Sequence, residues 1–292
     1  TGSFVYYNLA GAYDSNIALL VTTGDDRRDS YERLREVLRR TVLRGPQLQT
    51  NLQFHYGLVH WFLANGVDAK PTTQFVVPYL TLVGELRKEA SEIDPDYAYD
   101  RLCSQYLTAV SSDPAAAKAT QDLSVLKRTL IGRPLGRILR QPHLLSAWLS
   151  TNKQTFEVKD GRVSWLKNPL LILADTYHLL HMDAAVKLPA AHRIWEQDAK
   201  VLEDGAAFYA TVQERLGQSD WQKVDRALKA KKAPKGFDST QWQAVREAHL
   251  GFQLGLELYG LLPLIAHKVG FFDLRVNDDL TITIPERLFD RD

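Results

Sequence analysis

The chain has 292 residues, of which 45% are hydrophobic and 24% are charged. This balance is typical of a globular protein that buries a sizeable core, and it excludes a chain that is disordered throughout. The formal net charge is +1, so the overall charge favours neither nucleic acid nor an anionic membrane as a partner. The single cysteine, Cys103, excludes an intrachain disulfide and the usual thiolate metal sites. A reducing compartment fits best, and we expect a cytoplasmic protein.

The first 90 residues predict a small antiparallel sheet with helices. Residues 4–7 and 17–22 have strand character, and residues 31–42 and 52–63 have the apolar spacing of helices. Residues 17–22 are apolar at nearly every position. Such a strand is normally covered on both faces, so we expect it to be buried by these two helices.

The rest of the chain predicts a helical domain with two short hairpins. Asp160-Gly161 separates two strand-like runs at 155–159 and 162–165, which is a strong signal for a tight β-turn. A second hairpin is predicted over 274–284. Helices are predicted over residues 72–90, 94–110, 115–130, 138–150, 169–186, 189–216, 220–232 and 239–269, with a break at 133–136. The fold class is therefore α+β and predominantly α, divided into segments 1–90 and 91–292.

Short motifs in the first segment follow one another in an order that resembles the C-terminal lobe of biotin carboxylases. They are a Tyr-Asp-Ser triplet, an aliphatic run, a Gly-acidic-x-Arg turn, an Arg-Leu pair, a glycine and a Thr-Asn pair. The chain departs from the family by about two extra residues before the Thr-Asn pair. The resemblance covers residues 1 to about 85. The motif residues are Tyr13, Asp14, Ser15, Gly24, Arg27, Arg33, Gly45, Thr50 and Asn51.

The resemblance implies a role in a biotin-dependent acyl-CoA carboxylase, a ligase multienzyme of fatty acid metabolism. The region beyond the lobe would be the central, linking domain, a non-catalytic scaffold that connects biotin carboxylase to the biotin carrier and the carboxyltransferase. These units would be its partners in an oligomeric assembly that uses biotin, ATP and magnesium. The chain shows no glycine-rich phosphate loop and no methionine-flanked lysine, so we expect it to hold no catalytic residue and no cofactor itself.

Two polar clusters are further candidates. His178 and His181 lie three residues apart on a predicted helix near Asp175, which is a weak pattern for a zinc site. The alternative is that they lie on a solvent-exposed face of the helix. Arg133, Arg137 and Arg140 form part of a basic stretch, and arginine suits phosphate or an acidic domain surface. A plain solvated face is the alternative there too.

A different class of function stays open at this point. The chain could be an independent helical enzyme or ligand-binding domain whose likeness to the lobe is local only. A ligand near His178 or near Glu257, an acid within the apolar stretch 250–269, would favour that alternative. Gln253, Glu257, Pro263 and His267 interrupt this stretch, which predicts a core helix and not a membrane span.

Overall fold

A computed structural model describes residues 16–43, 45, 48–70, 72–180 and 194–288. Of the residues in these ranges, 68% are helical, and they include two small antiparallel sheets, which confirms the predicted fold class. No helix in these ranges is both long and apolar enough to cross a membrane. The α-helices are α1 (Arg27–Arg40), α2 (Leu52–Asn65), α3 (Val76–Ser91), α4 (Pro95–Ala109), α5 (Pro114–Arg140), α6 (Pro142–Thr151), α7 (Pro169–Leu179), α8 (Glu196–Leu216), α9 (Trp221–Lys229), α10 (Ser239–Gln253) and α11 (Leu261–Val269).

Both predicted hairpins are present. In the first, β1 (Phe156–Lys159) pairs antiparallel with β2 (Arg162–Trp165). Asp160 and Gly161 join them with positive φ angles of 50° and 69°, the backbone that a two-residue hairpin turn requires. In the second, β3 (Arg275–Val276) pairs with β4 (Ile282–Thr283).

Helix starts follow local sequence signals. Asp94, Asp113 and Asp220 each accept hydrogen bonds from two backbone N–H groups in the first turn of α4, α5 and α9. Proline occupies the first position of α4 and α5, where a missing N–H costs nothing. Aspartate caps of this kind stabilise a helix by about 1 kcal/mol each.

The buried core is continuous across residue 90, the predicted domain boundary. α2 packs along α6, and α3 packs against α5, α6 and α11. Trp148 of α6 is fully buried and stacks on Phe156 of β1, which ties the first hairpin to the helices.

The predicted break at residues 133–136 is wrong, because α5 runs unbroken from Pro114 to Arg140. Pro134 lies inside the helix, and its missing N–H leaves the Leu130 carbonyl without an intrahelical donor. The hydroxyl of Tyr177 on α7 donates to that carbonyl at 2.9 Å. The next carbonyl, of Ile131, accepts from the Tyr259 hydroxyl at 3.3 Å. Two tyrosines from other helices therefore compensate for the proline.

Replacing Tyr177 by Phe is expected to lower the free energy of unfolding by about 2 kcal/mol. The ring stays buried, but the Leu130 carbonyl loses its donor, and an unsatisfied buried polar group costs about 1–3 kcal/mol. Urea unfolding measures the change. The double variant Pro134→Ala with Tyr177→Phe should recover most of the loss, because alanine restores the backbone N–H. No recovery would contradict this account.

The single helix predicted over 239–269 is also wrong. α10 ends at Gln253, a 3-10 turn spans Leu256–Gly260, and α11 follows. Gly255 between them has a φ of 86°, a left-handed backbone that favours glycine. Residues 194 and 195 of the helix predicted over 189–216 are not helical, and α8 begins at Glu196. The helix predicted over 169–186 has its last described helical residue at Leu179.

The N-terminal sheet does not form among the described residues. Residues 16–24 contain neither helix nor strand. Leu19 is 88% exposed and Val21 is 74% exposed, so the expected burial under α1 and α2 is wrong for this chain. The predicted strand at residues 4–7 lies outside the described ranges. An apolar strand needs neighbours on both edges and both faces, and the described residues supply none here.

Candidate functional site

The described motif residues at the start of α1 form a tightly bonded turn, which we call the motif turn (residues 22–33). The side chain of Thr22 donates to the Ser30 carbonyl at 2.9 Å, and the Ser30 hydroxyl donates back to the Thr22 carbonyl at 3.1 Å. Arg33 donates to the Thr23 carbonyl at 2.9 Å and pairs with Asp29. A Cβ atom on Gly24 would collide with the backbone of Ser30, so only glycine fits there.

The other motif residues bond to backbone as well. Arg27 donates from Nη1 to the Asp68 carbonyl at 3.0 Å, which joins the motif turn to the loop after α2. The Thr50 hydroxyl accepts from the Leu52 N–H at 3.4 Å at the start of α2, where Asn51 is the N-cap without a side-chain bond. The Gly45 carbonyl accepts from the Leu48 N–H. Tyr13, Asp14 and Ser15 lie outside the described residues. The motif residues that are described hold backbone in place.

The three arginines of the basic stretch do not form one solvated face. Arg133 and Arg137 are half-buried, whereas Arg140 is exposed. Burial and the neighbouring Arg133 lower the pKa of Arg137. Burial raises the pKa of Asp198 on α8, and the charge of Arg133 opposes the rise. The Asp198 carboxylate is almost fully buried near Arg133. In the sequence, the only sign of this residue is its position in the first turn of α8.

Two of the three candidate zinc ligands, Asp175 and His178, lie among the described residues. Asp175 forms an ion pair with Lys167 at 2.5 Å, and His178 is exposed. His181 lies outside the described residues. Among the residues that are described, no group of three His, Cys, Asp or Glu side chains has metal-binding proximity. Glu257 has an exposed side chain, although the packing around it raises the pKa of its carboxyl group.

A cavity of about 480 Å³ lies where the segment between β2 and α7 meets α7, α8 and the start of α9. Sequence reasoning missed it, because its residues are far apart in the chain and follow no motif. Its volume falls in the range of small-molecule sites. It is lined by Leu166, Lys167, Asn168, Leu171, Tyr209, Gln213, Ser219, Asp220, Trp221 and Gln222.

Two of the lining residues, Asn168 and Tyr209, belong to a buried hydrogen-bond chain. Gln253 donates from Nε2 to Oδ1 of Asn168 at 3.0 Å and to the Tyr209 hydroxyl at 2.8 Å. The Tyr209 hydroxyl is 3.0 Å from Nδ1 of His249, and Nε2 of His249 is 3.6 Å from Asp225. We call this set of five residues the polar chain.

One backbone group sets the direction of the hydrogen bonds among Asn168, Gln253 and Tyr209. The Leu170 N–H can only donate, so the Asn168 atom that it contacts at 3.0 Å is the oxygen. Gln253 must then donate to Asn168, and the same nitrogen donates to Tyr209. The Tyr209 hydroxyl therefore accepts from Gln253, and the direction of its 3.0 Å contact with Nδ1 of His249 is set by the tautomer of that ring.

The two ends of the polar chain differ in charge. Burial of Asp225 opposes its ionisation, but the nearby His249 and a hydrogen bond from Lys229 at 2.6 Å outweigh it and lower the pKa of the carboxyl group. Burial raises the pKa of Tyr209, so its hydroxyl stays protonated at neutral pH. The negative charge therefore lies at the Asp225 end, away from the cavity.

Comparison of the chain with protein-family models, with curated proteins and with solved structures gives no match in any of the three.

Proposed function

We propose that this chain is a non-catalytic structural part of a biotin-dependent acyl-CoA carboxylase, where it links biotin carboxylase to the biotin carrier and the carboxyltransferase. The order of the motif residues in the first segment supports this role. So does their chemistry, because the described ones bond to backbone and shape the chain. The motif turn is the observation that carries the proposal.

The apolar segment just before the motif turn is the proposed contact with the biotin carboxylase unit. Ile17, Leu19, Leu20 and Val21 all expose a large part of their side chains. Four neighbouring exposed apolar residues are unusual on a protein surface and typical of an interaction site. In biotin carboxylases the matching segment is a strand of a sheet. We propose that residues 17–22 complete a sheet of that unit, as an added edge strand does.

The experiment mixes the purified chain with a biotin carboxylase from the same organism and follows the complex by sedimentation velocity. We expect a complex that the double variant Leu19→Lys with Val21→Lys weakens by more than about tenfold. Each apolar side chain contributes about 1.5–3 kcal/mol when it is buried, and a tenfold change in affinity needs only about 1.4 kcal/mol.

Val77→Lys with Val125→Lys is the matched control, because these valines are similarly exposed, at 69% and 70%, on α3 and α5. This variant should bind as the native chain does. Circular dichroism checks that both variants fold. Equal weakening in both variants, or no complex with the native chain, would contradict the proposal. Bicarbonate-dependent ATP hydrolysis by the chain alone would contradict its non-catalytic character.

A further inference from the structure

Asn168, one of the residues that line the cavity beside the polar chain, has an unused hydrogen-bond donor. Asn168 is only 3% exposed, and its Oδ1 already accepts from Leu170 and Gln253. Its Nδ2 has no hydrogen-bond partner among the described residues. A buried donor without an acceptor costs about 1–3 kcal/mol, so an acceptor from outside the protein is favoured at this position.

The polar chain prevents the side-chain amide of Asn168 from turning over to find a partner for Nδ2. If the amide turned over, Nδ2 would face the Leu170 N–H and Gln253 Nε2, which are both donors. Two donor–donor contacts would replace two hydrogen bonds. Asn168 is also the N-cap of α7, so its backbone position is set by that helix. The donor is therefore held ready before any ligand arrives, which lowers the cost of binding.

The charges at the cavity are already matched within the protein. Lys167 is paired with Asp175 at 2.5 Å. Asp220 accepts from the Gln222 and Lys223 N–H groups as the cap of α9. A charged ligand would have to compete with these partners, whereas a neutral one would not. The apolar part of the lining comes from Leu166, Leu171 and the indole of Trp221.

We propose that this cavity binds a small neutral molecule with a carbonyl acceptor next to a flat apolar group. The carbonyl oxygen accepts from Nδ2 of Asn168, and the apolar group packs on Leu171 and Trp221. Tyr209 and Gln253 position Asn168 and do not need to contact the ligand. The site is independent of the structural role proposed above.

N,N-Dimethylbenzamide is a suitable probe, because it has a carbonyl acceptor, a flat ring, no N–H donor and no charge. We expect it to bind the full chain with a Kd on the order of 1 mM, as fragments of this size do. Saturation-transfer NMR measures the binding, and the side-chain NH₂ signals of Asn168 should shift as the probe is added. Benzoate and N,N-dimethylbenzylamine, which carry charges of opposite sign, should bind at least about tenfold more weakly.

Two variants separate a ligand site from a cavity that holds only water. Asn168→Asp keeps the oxygen that caps α7 and exchanges the free donor for an acceptor, so it should weaken the probe by about tenfold or more. Ser219→Trp places a large side chain from an exposed loop position at the cavity and should also abolish binding. Failure of the probe to bind the native chain, or equal binding to either variant, would overturn the proposal.

Discussion

Replacing Lys127 by Met is expected to lower the free energy of unfolding by about 3 kcal/mol or more. The Lys127 side chain is 1% exposed and lies against the C-terminus of α10. Its Nζ donates to the carbonyls of Gly251 at 3.0 Å, Phe252 at 2.7 Å and Leu254 at 2.6 Å. The last carbonyls of a helix have no intrahelical donor, and each one left unsatisfied in the interior costs about 1–3 kcal/mol.

Urea unfolding at about pH 6, where Nζ is protonated and can donate to all three carbonyls, measures this loss. Arg128→Met is the matched control, since Arg128 is the next residue of α5 but is exposed and ion-paired with Asp100. It should cost less than about 1 kcal/mol, as surface ion pairs do. Similar losses in the two variants would show that Lys127 does not hold the end of α10.

The pH dependence of the native protein gives a second test of Lys127. Burial lowers the pKa of its ammonium group to about 7, whereas the ordinary value of 10.5 applies to the unfolded chain. Between these values the unfolded chain binds a proton that the folded protein does not. The unfolding free energy should therefore rise with pH from about 7 to 10. In Lys127→Met this rise should be absent.

Acid is expected to destabilise the fold through His60. This residue of α2 is 5% exposed, and its Nδ1 lies 2.9 Å from the Thr151 hydroxyl on α6. Its Nε2 is buried without a partner among the described residues. Burial, helped by the charge of Arg35, lowers the pKa of His60 from 6.5 to about 3. The folded protein therefore keeps His60 neutral, and the unfolded chain protonates it below pH 6.5.

The contribution of neutral His60 to the free energy of unfolding is fully present above pH 6.5 and is lost as the pH falls toward 3. The loss approaches about 1.4 kcal/mol per pH unit below pH 6, which corresponds to one proton taken up on unfolding. Urea unfolding at a series of pH values gives this slope. His60→Gln should reduce it by about one proton. A slope that is the same in native protein and His60→Gln would refute the assignment.

Features decided by neighbouring residues were predictable from the sequence. Asp160-Gly161 forms its turn, and Asp94, Asp113 and Asp220 start their helices, because each signal acts within a few residues of itself. The predominantly helical class follows from the same local patterns, read over the length of each element.

The predictions from the sequence are wrong where a residue far away in the chain overrides a local signal. Pro134 predicts a break, and α5 continues because Tyr177 and Tyr259 serve the carbonyls around it. The apolar run 239–269 predicts one helix, and it divides at Gly255, where Lys127 from α5 bonds the end of α10. Residues 17–22 predict a strand, but a strand needs a partner that the described residues do not provide.

The candidate sites divide in the same way. The motif residues were found from the sequence because they follow one another closely and shape their own turn. The polar chain beside the cavity was not found, because Asn168 and Gln253 are 85 positions apart and Tyr209 and His249 are 40 apart. Composition and local pattern therefore determined the fold class, the helix starts and the hairpins. The burial of Lys127 and His60, the polar chain and its unused donor were decided by tertiary packing alone, since a hydrogen bond between distant residues leaves no periodic trace in a single sequence.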